Sequence, residues 1–173
     1  MKRLVTAAAA ALTACVVATS ASAQDFEFFE FREGWNIFRS TATGGCFMER
    51  QTEEGIVLQV GSLQTMTGAG GADDFGYLGI YIPGEAPENA GGDPLLVLES
   101  GPNRYIAEAH SQERQGFWGG FIVSGTGSDL ANDLRTRKSM RGITVNGGGF
   151  DIDLTRTNIN RALDRTAECQ NQS

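Results

Sequence analysis

Histidine is all but missing from this chain: His110 is the only one. A Ser-His-Asp or Cys-His catalytic device would have to be built on that single ring. It follows the stretch Tyr105–Ala109, near a polar tip, and reads as a surface histidine. Ser111, Ser124 and Ser128 are available, yet none sits in a nucleophile-elbow context such as G-x-S-x-G. Cysteine is scarce too, with only Cys15, Cys46 and Cys169. Two widely spaced cysteines and one histidine make a poor metal-ligand set. Clustered positive charge is also lacking. The 14 Lys+Arg stand against 21 Asp+Glu, a formal charge of −7, and the basic residues are scattered. That excludes a phosphate-binding stripe and, with it, nucleic acid as a main partner. Beyond the N-terminal run, no segment is apolar for long enough to span a membrane.

What is present points to an exported globular chain. Apolar residues are 40% and charged residues 20%, which is not a disordered composition. Glycine is frequent at 23, favouring many turns over long helices. Residues 1–23 read as an export signal: Lys2 and Arg3 start it, an apolar run covers Leu4 to Ala18, and Ala21-Ser22-Ala23 is a small-x-small cleavage site before Gln24. The run is about 15 residues, short of the roughly 20 a membrane span needs. Leu12-Thr13-Ala14-Cys15 also reads as a lipobox, which would leave a lipid anchor on Cys15. The expected location is periplasmic or secreted, with a lipid-anchored envelope protein as the alternative. Cleavage after Ala23 leaves residues 24–173 as one exported β-rich domain, large enough to bury a proper core. With Cys15 removed or lipidated, Cys46 and Cys169 remain. An even pair in an exported chain predicts one disulfide. It would close a loop of nearly the whole domain, for which chain entropy gives an upper value of about 5 kcal/mol.

The mature chain reads as about nine short strands and two short helices. FEFFEF over Phe26–Phe31 alternates aromatic and acid with a slip of phase at Phe28-Phe29, the mark of a bulge. It is a first strand covering the core or an exposed edge that pairs with a partner. Trp35–Arg39, Cys46–Arg50, Gly55–Val60, Gly76–Pro83, Pro94–Glu99, Arg104–Ala109 and Gly116–Val123 follow, separated by Gly-, Pro- and Asn-bearing turns. Ser128–Ser139 reads as a helix with Ser128 as cap. Gly142–Asn146 and Phe150–Leu154 form a hairpin around Asn146-Gly147. The end reads as a helix capped by Thr157 or Asn158, with Ile159, Ala162, Leu163, Thr166 and Ala167 on one face. Cys169 at its tail would tie this helix to the second strand. No strand–helix alternation exists to build a parallel sheet. The fold class is therefore mainly β, an antiparallel sandwich or barrel-like single domain with one or two short helices.

Few residues carry chemistry. Asp151 and Asp153 lie two apart on a strand and share a face, as a calcium-binding or proton-sharing pair would, or as the solvated side of a strand whose inner face is Phe150, Ile152 and Leu154. Asp73-Asp74 in the Thr67–Asp74 loop lacks a complete calcium motif, and the same acids would repel a phosphate from Gly68, Gly70 and Gly71. No catalytic, cofactor or metal residue is assigned. Phe117 and Phe121 share one strand face and Trp118 takes the other. Beside small glycines, these three are the candidate contact residues for a ligand or partner.

The layout resembles the small periplasmic proteins of the invasion-associated locus B type of alphaproteobacteria. The parallels are the export signal, Trp35 with Cys46 after it, the strand Pro94-Leu95-Leu96-Val97-Leu98, and the ending Gly149-Phe150-Asp151-Ile152-Asp153-Leu154 with the Ala162-Leu163 helix and a late cysteine. The resemblance implies a β-sandwich-like exported domain with envelope or host-surface roles. The expected function is thus non-enzymatic: binding of another envelope or exported protein, or a small ligand, through a β edge or the Trp118 region. A small exported protease or hydrolase inhibitor is the alternative. A hydrolase using His110 or the Asp151/Asp153 pair is the third reading.

Overall fold

Alternating or continuous apolar side chains set the strands, and turns bearing glycine separate several of them. The computed structural model describes residues 26–62, 75–88, 94–109, 114–123, 129–155 and 158–172. These form β1 (Phe26–Arg32), β2 (Trp35–Ser40), β3 (Cys46–Gln51), β4 (Val57–Ser62), β5 (Phe75–Pro83), β6 (Leu96–Ser100), β7 (Asn103–Ala109), β8 (Phe117–Val123), β9 (Ser139–Thr144) and β10 (Gly149–Asp153). Two helices accompany them, α1 (Leu130–Thr136) and α2 (Ile159–Gln170). The export signal, the lipobox, His110 and the Thr67–Asp74 loop lie outside the described residues.

All neighbours are antiparallel, in the order β1-β2-β3-β4-β5-β8-β7-β6-β9-β10. The two end strands do not pair, so the sheet is not closed. β7 is the corner. Its residues Asn103–Ala107 pair with β6, while Glu108 and Ala109 pair with β8. Strands on both sides of this corner feed a single buried cluster. Ile37, Met48, Leu58, Leu78 and Ile80 come from one part, and Leu96, Leu98, Met140 and Ile152 from the other. One sheet therefore wraps its own core, as the sandwich or barrel-like reading expects.

The first hairpin turns on Glu33 and Gly34, whose φ values are 52° and 84°. Both are positive, as a two-residue type I′ loop requires. In β1 the partner of Phe28 is Phe38 and the partner of Glu30 is Ile37, which leaves Phe29 as the extra residue of a bulge. The phase slip in FEFFEF is this bulge. It places Phe26, Phe28 and Phe31 on the outer face and Glu27, Glu30 and Arg32 on the core side.

Helix α2 covers the core side of β1, β2 and β3. Asn158 caps it by accepting a bond from the Arg161 N–H at 3.3 Å. Ile159, Ala162, Leu163 and Thr166 are buried along the expected face, Ala167 is half-buried, and Cys169 and Gln170 extend the buried stripe. Cys169 is bonded to Cys46 across 123 positions. Cys46 opens the third strand rather than the second, because the Phe26–Arg32 and Trp35–Ser40 hairpin precedes it.

The first helix is shorter than its sequence suggests. It covers Leu130–Thr136, with Asp129 at the cap position, and Ser139 already begins β9. The register explains this: Ser139 pairs with Asp153 and Met140 with Ile152, so the hairpin extends past the Gly142–Asn146 segment. Inside α1, Asp133 is 1% exposed. Its carboxylate accepts bonds from Asn103 Nδ2 at 2.9 Å, Tyr105 Oη at 2.8 Å and Arg137 Nε at 3.3 Å. Burial alone would raise this carboxyl. The donors, led by Asn103 and Tyr105, outweigh burial and hold it below the ordinary carboxylate value.

Candidate functional site

The outer face of β3, β4, β5 and β8 carries an uninterrupted set of cross-strand rows. One row runs Glu49, Gln59, Gly79, Phe121 and Glu108. The next row runs Gln51, Val57, Tyr81 and Gly119. Another runs Phe47, Gly61, Tyr77 and Val123. Each row contains one glycine, so large side chains lie down over the gaps. Tyr77 lies across Gly61, where a Cβ would come within 2.7 Å of its ring. At Gly119 and Gly120 a Cβ would collide with the carbonyl oxygens of Ile80 and Glu108. This close backbone approach fixes the Gly-Gly step of β8, and Phe121 stands beside the bare positions Gly79 and Gly119.

Arg114 is the centre of this face. Its guanidinium donates to both Glu49 carboxylate oxygens, at 2.9 and 3.3 Å. It also stacks over the Tyr81 ring at 5.3 Å and the Phe117 ring at 5.1 Å. Gln59 Nε2 donates to Glu49 at 3.4 Å, and Tyr77 Oη donates to Gln59 Oε1 at 3.0 Å. Burial pushes the Tyr77 phenol far above its usual value, and the charges of Tyr81 and Glu49 push it the same way. Tyr77 therefore serves as a fixed neutral donor. Around this centre the face mixes exposed polar side chains, Gln51 and Glu108, with apolar ones. Val123 is 44% exposed and Ile106 is 63% exposed, while Phe117 and Phe121 are half-buried.

Of the expected contact residues, Phe117 and Phe121 fall on this outer face together. Trp118 pairs with Ile82 on the side that carries Ile80, Leu78 and Ile122, all buried in the core. Trp118 is half-buried at the end of that layer, so its ring belongs to the core side and the two phenylalanines belong to the outer side. The aromatic and glycine content of β8 signalled this region. The contribution of Arg114 could not be read from sequence, because its partner Glu49 is 65 positions away.

The carboxylate pair takes a different setting. Asp151 is exposed, and Asp153 is half-buried. Asp153 Oδ1 accepts bonds from the Thr155 N–H at 2.8 Å and the Thr155 hydroxyl at 2.6 Å, which closes the turn after β10. Ile152 between them and Leu154 after them are buried, so the two acids form the outer side of a half-buried strand. Arg50 of β3 and Thr52, Glu53 and Glu54 of the β3–β4 turn join them around a small cavity of about 90 Å³. Among the described residues, no group of three or more His, Cys, Asp or Glu side chains has a geometry that could hold a metal ion. No helix among them is long and apolar enough to cross a membrane.

Comparison with known protein families, with curated proteins and with solved structures finds no match to this chain.

Proposed function

We propose that this is an exported, non-catalytic binding protein whose contact face is the outer surface of β5, β7 and β8. The observation that carries the reading is Arg114, held on Glu49 and lying over the Tyr81 and Phe117 rings, on a face that also exposes Val123 and Ile106. Arginine and large aromatics are the residue types that dominate binding energy at protein interfaces. Here they are fixed in place before any partner arrives, which lowers the ordering cost of binding. The disulfide supports an oxidising compartment, so the partner is another exported or envelope protein. The resemblance to the invasion-associated locus B type supports an envelope role of the same kind.

The test compares proteins retained from envelope extract by the wild-type chain, by Ile106→Glu and by Arg114→Ala. Ile106 is exposed, so its replacement leaves the core untouched. A partner bound by the wild type is expected to lose about tenfold in affinity with either variant, at unchanged thermal stability of Ile106→Glu. Identical retention by all three proteins, or steady turnover of a substrate, would remove the reading.

A further inference from the structure

Strand β1 ends the sheet and pairs with β2 alone among the described strands. It is an edge that ought to be blunted, yet Phe28 is 59% and Phe31 62% exposed, and Phe26 is 37% exposed. The strand is held firmly from its core side. Arg165 of α2 meets Glu30 at 2.6 Å and stacks on the Phe29 ring at 4.9 Å, while Arg161 meets Glu33 at 3.3 Å. Outside, Phe26 packs edge-on against Phe47, and Phe28 against Phe38, which itself stacks on Phe47. The result is a rigid edge with an aromatic outer side.

We infer that β1 pairs antiparallel with β1 of a second copy of this chain. The register sets Phe28 opposite the second copy's Phe31 and Glu27 opposite the second copy's Arg32. Two-fold pairing demands that residues facing each other across the axis lie on the same side of the sheet. In a regular strand, positions three apart lie on opposite sides. The bulge at Phe29 adds the one residue that brings Phe28 and Phe31 to the same side, and likewise Glu27 and Arg32. The bulge is therefore what makes this register possible. Charge selects it over its neighbour. FEFFEF reads the same in both directions, so sliding the copies to match that palindrome would set Glu27 against Glu30, two like charges directly opposite. The inferred register instead sets Glu27 against Arg32. Both are about half exposed, at 58% and 49% of their side-chain surface, and their intrachain ion pairs are long at 3.8 and 4.0 Å. The contact repeats twice across the axis.

This inference concerns a surface separate from the β5, β7 and β8 face, so either can fail alone. The experiment is sedimentation equilibrium of the disulfide-bonded chain, with charge reversal at the two positions. The wild type is expected to be dimeric at micromolar concentration. Arg32→Glu alone and Glu27→Arg alone are each expected to be monomeric, because each places like charges opposite one another twice. An equimolar mixture of the two variants is expected to dimerise again, since each pair is then opposite in sign. Near-ultraviolet circular dichroism checks that each variant is folded. Phe31→Lys, which has no intrachain ion pair to lose, is expected to be monomeric as well. A monomeric wild type at several hundred micromolar would overturn the inference. So would variants that dimerise as the wild type does, or a mixture that stays monomeric while both variants are folded.

Discussion

Asp133 is the residue on which the packing of α1 most depends. Its carboxylate is enclosed and gathers donors from the start of β7 and from Arg137 at the end of its own helix. Removing it takes the carboxylate acceptor away from the Asn103 Nδ2 and Tyr105 Oη donors. Asp133→Ala is therefore expected to cost about 2–4 kcal/mol, measured by urea unfolding. Tyr105→Phe, which removes one donor only, is expected to cost about 1 kcal/mol. The pH dependence has a defined sign. The folded carboxyl lies below its unfolded value of 3.8, so the stabilisation is fully present above that value. It is lost as pH falls below 3.8 through the lower folded value. The wild type should lose stability over that range more steeply than Asp133→Asn, as followed by unfolding midpoints between pH 5 and 2. Nothing in the local residue pattern marks Asp133 as buried. Asp133 stands in a helix with an acid-then-base charge order that suits the helix dipole, and only the approach of a turn 30 positions earlier encloses it.

At the scale of elements, much of the chain is legible. The period of two in β2 and β5 marks their core sides, and buried positions such as Trp35 and Ile37 follow it, while the continuous apolar runs of β4 and β6 mark strands buried along most of their length. The doubled phenylalanine in β1 gives away the bulge, because a strand cannot absorb two like neighbours without changing face. The stripe Ile159, Ala162, Leu163 and Thr166 gives away α2. The boundary between α1 and β9 is not legible. Ser139-Met140-Arg141 has no strong strand preference and becomes strand by pairing with Ile152 and its neighbours. Caps are a local matter and should behave locally. Asn158→Ala is expected to cost about 1 kcal/mol and lower the melting temperature by roughly 2–4 °C, seen by thermal circular dichroism.

For the whole molecule, the order of strands is the part hidden from sequence. Side-chain alternation tells which face of a strand is buried and says nothing of which strand lies beside it. β8 leaves its chain neighbour β7 after two residue pairs and runs along β5 for seven. The Gly119-Gly120 step permits this, since both positions meet neighbouring backbone too closely for a side chain. The disulfide then ties the last helix to β3, next to the hairpin that starts the fold. Replacing both Cys46 and Cys169 by Ala is expected to cost about 2–5 kcal/mol. That corresponds to a melting temperature lower by roughly 5–15 °C, read by calorimetry on the two proteins.

The covalent ring also imposes a timetable. A chain made N-terminus first presents Cys46 long before residue 169 exists, and an oxidant acting early meets only a wrong mate for it, a sulfur on a different chain. Correct oxidation has to wait for the final helical turn to arrive. Late delivery of oxidising power therefore yields native protein, and premature delivery yields cross-linked waste.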